Sequence, residues 1–310
     1  MDRAGIPVLS LADEPERFSK AIGDSMRRFG FAMVKDHGID DALIARSWAL
    51  TETFFALSER EKRTYFVSGI AGARGYTPFR TEVAKGAREP DRKEFWHIGR
   101  DLPSGHPLVD TMPPNIWPER PVDFQETFEI LFTEFDRVGA TIMARLARHL
   151  GLPDSWFDNA IEDGNSVLRL LHYPPFEGHE AGVRAEAHED INLITLLLGA
   201  EEAGLELLSR DGAWLPETPP PGALVVNIGD MLQRLTNHAL PSTTHRVCNP
   251  ATGRRDHSRY SMPFFLHLRS DFPLATLSQC IDDSHPDLYP EVITADEFLQ
   301  QRLVEIGLKH

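Results

Sequence analysis

The chain has 310 residues, of which 41% are hydrophobic and 25% are charged, proportions that are ordinary for a folded globular protein and exclude wholesale disorder. Its 47 acidic and 32 basic residues give a formal charge of −15, which argues against nucleic acid as a partner because phosphates call for Lys and Arg. The only cysteines, Cys248 and Cys280, provide neither a disulfide framework nor a thiolate zinc site and fit a reducing, cytoplasmic compartment.

No segment has the length and apolarity of a membrane span. The apolar run Leu193 to Leu198 is far too short to cross a bilayer, and no apolar signal segment follows Met1. We therefore expect no membrane association, and no feature of the sequence points to a protein partner.

The N-terminal part carries helix patterns. Apolar residues spaced by three and four predict a helix over about 15–28, and residues 43–57 predict a second. Ser58 with Glu61 forms a capping-box pattern for a third helix. We expect residues 1–120 to be a helical part that also supplies substrate-binding loops.

A long amphipathic helix is predicted within residues 121–151, closed by Gly151. Its aromatic-rich stripe favours a brace packed against a sheet over a ligand site. The stripe consists of Phe124, Phe128, Leu131, Phe135, Val138, Ile142 and Leu146.

Residues 165–270 change to short β-rich runs separated by Gly and Pro, a pattern typical of a double-stranded β-helix, or jelly roll. The fold class is therefore α+β, and residues 1–310 are expected to form a single domain. Residues 271–310 are expected to be a C-terminal extension with a helix capped by Thr294 and Glu297. The predicted runs are 167–173, 188–198, 205–208, 224–228, 245–247 and 258–268.

Two histidines and one carboxylate can form a metal site. Side chains alternate along an extended strand, so His188 and Asp190 would project together, and a later strand can bring in His245. Two imidazoles and one carboxylate suit non-haem ferrous iron and leave positions open for dioxygen and a co-substrate.

Arg259 and Ser261 repeat the same two-residue spacing on a later strand. Arg carries a permanent charge and forks onto carboxylates. A dicarboxylate that chelates the metal at one end needs such an anchor at the other, which is what 2-oxoglutarate presents. A His-x-Asp pair alone is more often a hydrogen-bonded strand pair than a ligand set, and only the ordered group is specific.

With these motifs the chain resembles the isopenicillin N synthase-like branch of the iron(II)/2-oxoglutarate-dependent dioxygenases. The similarity runs roughly from Ile6 to Leu268, with the motifs in the same order. It is carried by Phe29-Gly30-Phe31 through His37-Gly38-Ile39, Gly75-Tyr76-Thr77-Pro78, the stretch from Gly222 to Gln233, Thr236-Asn237, and Ser242 to Val247.

The resemblance implies that His188, Asp190 and His245 bind Fe(II), while Arg259 and Ser261 hold the distal carboxylate of 2-oxoglutarate. It also implies a hydrogen bond from the Tyr173 phenol to the co-substrate. The implied reaction oxidises a C–H bond of a small molecule with release of succinate and carbon dioxide.

The sequence departs from the family pattern at two positions. Relatives often carry Asn where this chain has Leu171. The leucine removes one possible polar contact to the co-substrate. Thr is common at the position of Glu189, so an additional acid stands beside the predicted metal site.

The resemblance also directs attention to substrate-selecting residues, namely Tyr76, Phe79 and Arg80, and Trp96 within the stretch Lys93-Glu94-Phe95-Trp96-His97. Arg80 is a candidate for holding an acidic substrate. For each aromatic residue, packing is an equally good interpretation.

Three other functions are compatible with parts of the pattern. An oxidase can use the same iron site without 2-oxoglutarate, and a zinc hydrolase can use two His and one Asp. The Arg259 and Ser261 pair argues against the hydrolase. A non-enzymatic binding relative would be expected to lack a ligand, and none is lost.

Overall fold

Two β-sheets form the centre of the protein, whose computed structural model describes residues 5–70, 72–81, 92–175, 183–198, 204–248 and 257–305. The sheets face each other across an apolar layer in which Phe31 and Met33 of one sheet pack with Leu205 and Leu207 of the other. This double-sheet core confirms the predicted α+β jelly-roll fold. None of the helices within the described ranges is both long and apolar enough to cross a membrane.

The major sheet has eight strands: β1 (Val8–Ser10), β2 (Phe31–Lys35), β3 (Gly75–Thr77), β4 (Glu94–Gly99), β5 (Val167–Tyr173), β7 (Ile194–Leu198), β10 (Leu224–Ile228) and β12 (Arg259–Leu266). Their spatial order is β1-β2-β10-β7-β12-β5-β4-β3. The edge strand β1 pairs in parallel with β2, and the other neighbours pair antiparallel.

The minor sheet has four strands: β6 (Val183–His188), β8 (Leu205–Leu208), β9 (Trp214–Glu217) and β11 (His245–Cys248). They lie in the order β6-β11-β8-β9, with all pairs antiparallel.

Seven α-helices occur in the described ranges: α1 (Pro15–Phe29), α2 (Asp41–Phe55), α3 (Glu59–Arg63), α4 (Phe124–His149), α5 (Asp158–Ile161), α6 (Asp230–Leu235) and α7 (Ala295–Glu305). The predicted capping box at the start of α3 is confirmed. The hydrogen bonds between Thr294 and Glu297 confirm the predicted cap of α7. At the end of α1, Gly30 has φ 70°, a left-handed conformation that glycine adopts at little cost.

The long helix α4 covers the outer face of the major sheet, as its stripe predicts. Phe135 of α4 stacks on Phe264 of β12 with ring centroids 5.4 Å apart. Gly139 lets the helix approach the side chains of Leu196 and Leu266. Because side chains alternate along a strand, the residues between these outward ones point to the inner face, toward the minor sheet.

Two sequence predictions are corrected by the strand boundaries. The run 188–198 is predicted as one strand, but β6 ends at His188 in the minor sheet and β7 begins at Ile194 in the major sheet. Asp190 therefore lies in the turn between the sheets and not on a strand. Residues 1–120 are also not purely helical, since they contribute β1 to β4 to the major sheet. The single-domain organisation and its internal boundaries stay predictions.

Candidate functional site

His188, Asp190 and His245 come together at one place between the sheets. His188 is the last residue of β6 and His245 the first residue of β11, and the two are antiparallel partners. One ligand atom from each of the three side chains lies within 4.8 Å of the others. The strand pairing thus brings together two histidines that are 57 positions apart (245 − 188) in the chain.

Both imidazole rings are oriented by backbone carbonyls. The Nδ1 of His188 lies 2.7 Å from the carbonyl oxygen of Glu186, and the Nδ1 of His245 lies 3.1 Å from that of Thr243. A carbonyl only accepts, so each Nδ1 carries a hydrogen and each Nε2 is the ring nitrogen left to face a metal. Such a contact on one ring nitrogen is the usual support of a metal-binding histidine.

The carboxylate of Asp190 is fixed through one of its two oxygens. Its Oδ2 accepts a hydrogen bond of 2.5 Å from the Thr195 hydroxyl and one of 2.8 Å from the Asn227 amide. Its Oδ1 lies 3.8 Å from the Nε2 of His188. The second oxygen therefore faces the same point as the imidazole, which is the geometry that a monodentate carboxylate ligand requires.

The local electrostatics favour the metal-binding protonation states. Desolvation by the surrounding protein lowers the pKa of His188 to about 4, and the neighbouring His245 adds to this effect. Burial alone would raise the pKa of Asp190, but the two imidazoles and the hydrogen bonds from Asn227 and Thr195 hold it below its usual value. At neutral pH His188 is thus a neutral imidazole and Asp190 a carboxylate, the forms in which these groups bind metals.

The turn that carries Asp190 is held by the start of α6. The backbone N–H of Asp230 donates to the Asp190 carbonyl over 2.7 Å, and that of Gly229 donates to the Leu193 carbonyl over 3.0 Å. A Cβ on Gly229 would lie 2.1 Å from the carbonyl oxygen of Asn192. Glycine is therefore required for this close approach, and the approach fixes the ligand-bearing turn.

The predicted co-substrate residues lie on the inner face of the major sheet. Arg259 pairs with Tyr173 and Ser261 pairs with Leu171 across β12 and β5. All four side chains are buried, and the guanidinium of Arg259 lies 5.5 Å from the centroid of the Tyr173 ring. A buried cation, a hydroxyl and a phenol therefore share one patch, a combination that suits a carboxylate.

The first departure from the family pattern, Leu171, extends an apolar surface. Its side chain forms a buried cluster with Phe95 and Tyr173 beside the Arg259 patch. Apolar packing thus occupies the position of Leu171.

The second departure, Glu189, links the two segments that carry the histidines. Its carboxylate accepts a hydrogen bond of 2.8 Å from the hydroxyl of Thr244, the residue before His245. The group of converging ligand atoms contains His188, Asp190 and His245 and does not include Glu189. The additional acid therefore ties the ligand-bearing segments together instead of joining the ligand set.

Tyr76 and Trp96, predicted as substrate contacts, lie on the wrong face of the sheet. They are antiparallel partners in β3 and β4, both fully buried. Trp96 packs edge-on against Phe54 of α2 and Phe124 of α4, with ring centroids 4.8 and 5.6 Å away. The helices cover this outer face, and these two residues are packing residues. No sequence pattern sets the register of β4, so the sequence alone could not decide which of its residues face inward.

Phe79 and Arg80 follow β3 and precede residues 82–91, which lie outside the described ranges. Phe79 is half-buried and Arg80 is exposed, with the guanidinium 5.6 Å from the Phe79 ring centroid. Their predicted role in substrate selection stays a prediction.

Sequence reasoning missed the residues that support the ligands. Thr195 and Asn227 fix Asp190, and the ring of Phe31 packs edge-on against His245 with centroids 5.4 Å apart. Asn227 stands within the stretch 222–233 that carries the family resemblance, a signal that could have found it. Phe31 likewise stands in the Phe29-Gly30-Phe31 motif of that resemblance, whereas nothing in the local sequence marks Thr195.

The donor set fits a divalent transition metal that prefers nitrogen and carboxylate ligands. Two imidazoles and one carboxylate converge from one side, and 43% of the His188 side chain is exposed while Asp190 is buried. Three protein ligands leave coordination positions on the open side for a chelating co-substrate and dioxygen.

Comparisons with known proteins match both halves of the chain. Residues 6–120 match the family model of the N-terminal region of non-haem dioxygenases in morphine synthesis, and residues 164–268 match that of the 2OG-Fe(II) oxygenase superfamily. A 2-oxoglutarate-Fe(II) type oxidoreductase of Aspergillus fumigatus is 33% identical over 84% of this chain and 79% of its own length.

Two solved structures are similar along almost the whole chain. A 2OG-Fe(II) oxygenase family protein from Caulobacter crescentus is 50% identical, with a TM-score of 0.92 over 98% of this chain and 100% of that one. A Neurospora crassa protein solved in complex with alpha-KG and thymine is 28% identical, with a TM-score of 0.86 over 98% of each chain.

Proposed function

The chain belongs to the 2OG-Fe(II) oxygenase superfamily, and from this membership we propose a role for each residue of the site. The protein is a non-haem Fe(II)- and 2-oxoglutarate-dependent dioxygenase. We assign His188, Asp190 and His245 as its iron ligands. The convergence of their three ligand atoms within 4.8 Å supports this assignment more than any other observation.

Arg259, Ser261 and Tyr173 are assigned to the distal carboxylate of 2-oxoglutarate. Arg259 neutralises that carboxylate, and the hydroxyls of Ser261 and Tyr173 donate hydrogen bonds to it. Leu171 and Phe95 give the neighbouring wall an apolar surface and keep water from it. These residues hold one end of the co-substrate and thereby orient the other end toward the iron ligands.

When bound, iron activates dioxygen, and oxidative decarboxylation of 2-oxoglutarate to succinate and carbon dioxide accompanies oxygen insertion into a C–H bond. The chain itself contributes orientation: the carbonyls of Glu186 and Thr243 hold the two rings, and Thr195 and Asn227 hold Asp190. No side chain of this arrangement is required as a general acid or base.

Two finer assignments belong with this proposal. The isopenicillin N synthase-like branch is supported by the two-part family match and by the order of the motifs. The cytoplasmic location is supported by the two free cysteines, Cys248 and Cys280. Solved relatives bind small molecules, thymine in one case, and we propose a small-molecule substrate here as well.

A screen of candidate metabolites tests the function. Protein loaded with Fe(II) under anaerobic conditions is mixed with 2-oxoglutarate, one metabolite and air, and succinate release and product mass are measured. We expect slow succinate release without metabolite and faster release with the true substrate, whose product gains one oxygen or loses two hydrogens. Oxygen uptake with substrate oxidation but without succinate would instead support the oxidase alternative.

A further inference from the structure

A buried polar network lies on the outer face of the major sheet, directly behind the co-substrate residues. Its centre is the carboxylate of Glu94 in β4, which is 2% exposed. Glu94 Oε1 and Oε2 accept hydrogen bonds of 2.8 and 2.7 Å from the Lys62 ammonium of α3. Oε2 also accepts from the Tyr76 hydroxyl. The carboxylate thereby joins α3 to the edge strand β3 and its neighbour β4.

The network continues into the strands that carry the co-substrate residues. His172 of β5 lies with Nδ1 2.7 Å from Glu94 Oε1 and with Nε2 2.9 Å from the hydroxyl of Ser258. Glu94 only accepts, so Nδ1 carries a hydrogen, and Nε2 is the ring nitrogen that bonds with the Ser258 hydroxyl. Ser258 immediately precedes Arg259.

The register places this network one residue away from each co-substrate contact. His172 pairs with Glu94 on one side and with Tyr260 on the other, where the rings stack with centroids 4.8 Å apart. Side-chain alternation puts Tyr173 and Arg259 on the inner face, next to outward-pointing His172 and Tyr260. Any shift of the outward-pointing residues Glu94, His172 and Tyr260 must therefore also move Tyr173 and Arg259, which follow or precede them on the same strands.

A buried carboxylate and ammonium pair is costly to desolvate, and an apolar pair would often serve stability equally well. The Glu94 carboxylate is nevertheless saturated with donors from three different elements. We propose that Glu94 is a positioning residue for the co-substrate subsite: through His172 and Ser258 its carboxylate fixes the ends of β5 and β12 that present Tyr173 and Arg259. This inference rests on the proposed role of Arg259.

Glu94→Gln tests the inference, because one carboxylate oxygen becomes an NH2 group that cannot accept from the donors around it. We expect the KM for 2-oxoglutarate, and its Kd in the anaerobic Fe(II) protein, to rise about tenfold because the anchor is misplaced. The kcat at saturating co-substrate should stay within about twofold and iron affinity should not change, since the iron ligands lie on β6, on β11 and in the turn before β7.

Asp136→Asn is the matched control. It removes the negative charge of Asp136, whose carboxylate oxygen lies 2.7 Å from the Arg100 guanidinium. Arg100 directly follows β4, at the opposite end of that strand from Glu94. This variant should leave both constants for 2-oxoglutarate unchanged even if thermal stability falls.

His172→Phe provides a second variant, which also serves if Glu94→Gln does not fold. It keeps an aromatic ring between Phe55 and Tyr260 and loses the hydrogen-bond chain. We expect the same rise in KM, and no further rise in the double variant because both residues act through one chain.

An unchanged KM for 2-oxoglutarate in a folded Glu94→Gln or His172→Phe protein would overturn the inference, as would a fall in kcat with constant KM. Arg259→Ala distinguishes failure of the Glu94 inference from failure of the proposed function. If Arg259→Ala also binds 2-oxoglutarate normally, the co-substrate assignment itself is wrong. If only Arg259→Ala weakens binding, the assignment stands and the positioning role of Glu94 fails.

Discussion

At the scale of single residues, the metal site depends on the uncharged polar side chains that hold its ligands as much as on the ligands themselves. Asp190 has two oxygens, and Thr195 with Asn227 occupies one of them. This arrangement leaves the second oxygen for the metal and prevents the carboxylate from rotating. The ligand types could be predicted from the sequence because few side chains bind iron, whereas their supporters could not, since Thr and Asn donate hydrogen bonds throughout proteins.

Thr195→Val should weaken Fe(II) binding by about 10- to 100-fold, the usual effect of losing a supporting contact to a metal ligand. Valine keeps the shape of threonine and removes the hydroxyl, which donates to Asp190 and accepts from the Asn192 amide. An anaerobic equilibrium titration with Fe(II) measures the change. Thr133→Val, which removes an exposed hydroxyl bond to the Glu129 carbonyl on α4, is the control and should bind iron normally. Equal affinity in the two variants would contradict the role of Thr195.

Strand register explains why two substrate assignments, Tyr76 and Trp96, are wrong. Tyr76 and Trp96 are aromatic residues near a family motif, where contacts with substrate are common. Their actual positions depend on the register of β4 against β5, where Trp96 lies opposite Leu170 on the helix-covered face. A one-residue shift would exchange the faces, and single-sequence patterns do not determine that register.

At the scale of secondary-structure elements, α6 acts as a clamp on the turn that carries Asp190. Its first residues donate backbone hydrogen bonds to the carbonyls of Asp190, Ile191 and Asn192. The backbone N–H of Leu193 also donates to the Leu266 carbonyl of β12, so α6 and β12 hold the turn together. Only the absence of a side chain at Gly229 allows α6 to approach the turn this closely.

Gly229→Ala should therefore destabilise the fold by about 1–3 kcal/mol, the typical cost of forcing extra volume into a packed site. It should also lower the iron affinity, because the turn must move. Urea denaturation and an iron titration measure the two effects. Gly5→Ala is the control, because a Cβ there meets nothing closer than 3.6 Å. Wild-type iron affinity in Gly229→Ala would show that the turn does not need the clamp.

The contact between α1 and α4 contains a histidine that should make stability depend on pH. The ring of His149 lies against Gly23, and burial lowers its pKa below the usual 6.5, with Arg27 adding to the effect and Asp24 opposing it. The unfolded chain therefore takes up a proton that the folded chain resists. The stabilising contribution is complete above about pH 6.5 and is lost as the pH falls below that value.

His149→Gln, which cannot titrate, should lose less stability than the wild type between about pH 7.5 and pH 5.5. The free energy of unfolding from urea denaturation at both values gives the comparison. Parallel losses in the two proteins would show that His149 does not contribute.

The helices were easier to predict than the strands. The periodic apolar residues of α1, α2 and α4 identify them locally, and their predicted bounds lie within two or three residues of those observed. Strands β1 to β4 were missed because they are short and obtain their stability from distant partners. The break between β6 and β7 was missed because the local sequence does not mark it and only the sheet topology separates the two strands.

At the scale of the whole molecule, the metal site connects elements that are distant in sequence. Its ligands come from β6, from the turn before β7 and from β11, while the co-substrate residues lie on β5 and β12 of the opposite sheet. Iron and 2-oxoglutarate together should therefore hold the two sheets to each other. Ligands that bind only the folded state stabilise it in proportion to their affinity.

Removal of iron should accordingly lower the Tm. At a free Fe(II) concentration about 100 times the Kd, bound iron adds about 2.7 kcal/mol to the free energy of unfolding. This gain corresponds to a rise in Tm of several degrees. Anaerobic thermal unfolding with and without Fe(II) measures it, and adding 2-oxoglutarate should raise the Tm further. His245→Ala should show no response to iron, and a Tm of the wild type that does not respond would contradict the proposed site.

A titration of 2-oxoglutarate into the anaerobic Fe(II) protein tests the central claim most directly. We predict one co-substrate bound per iron in the wild type, and loss of both iron and co-substrate in His245→Ala. Arg259→Ala should keep its iron and bind 2-oxoglutarate at least about tenfold more weakly, since a hydrogen bond to a charged group contributes about 1.5–3 kcal/mol. Iron-dependent binding of wild-type affinity in either variant would contradict the assignment of the site.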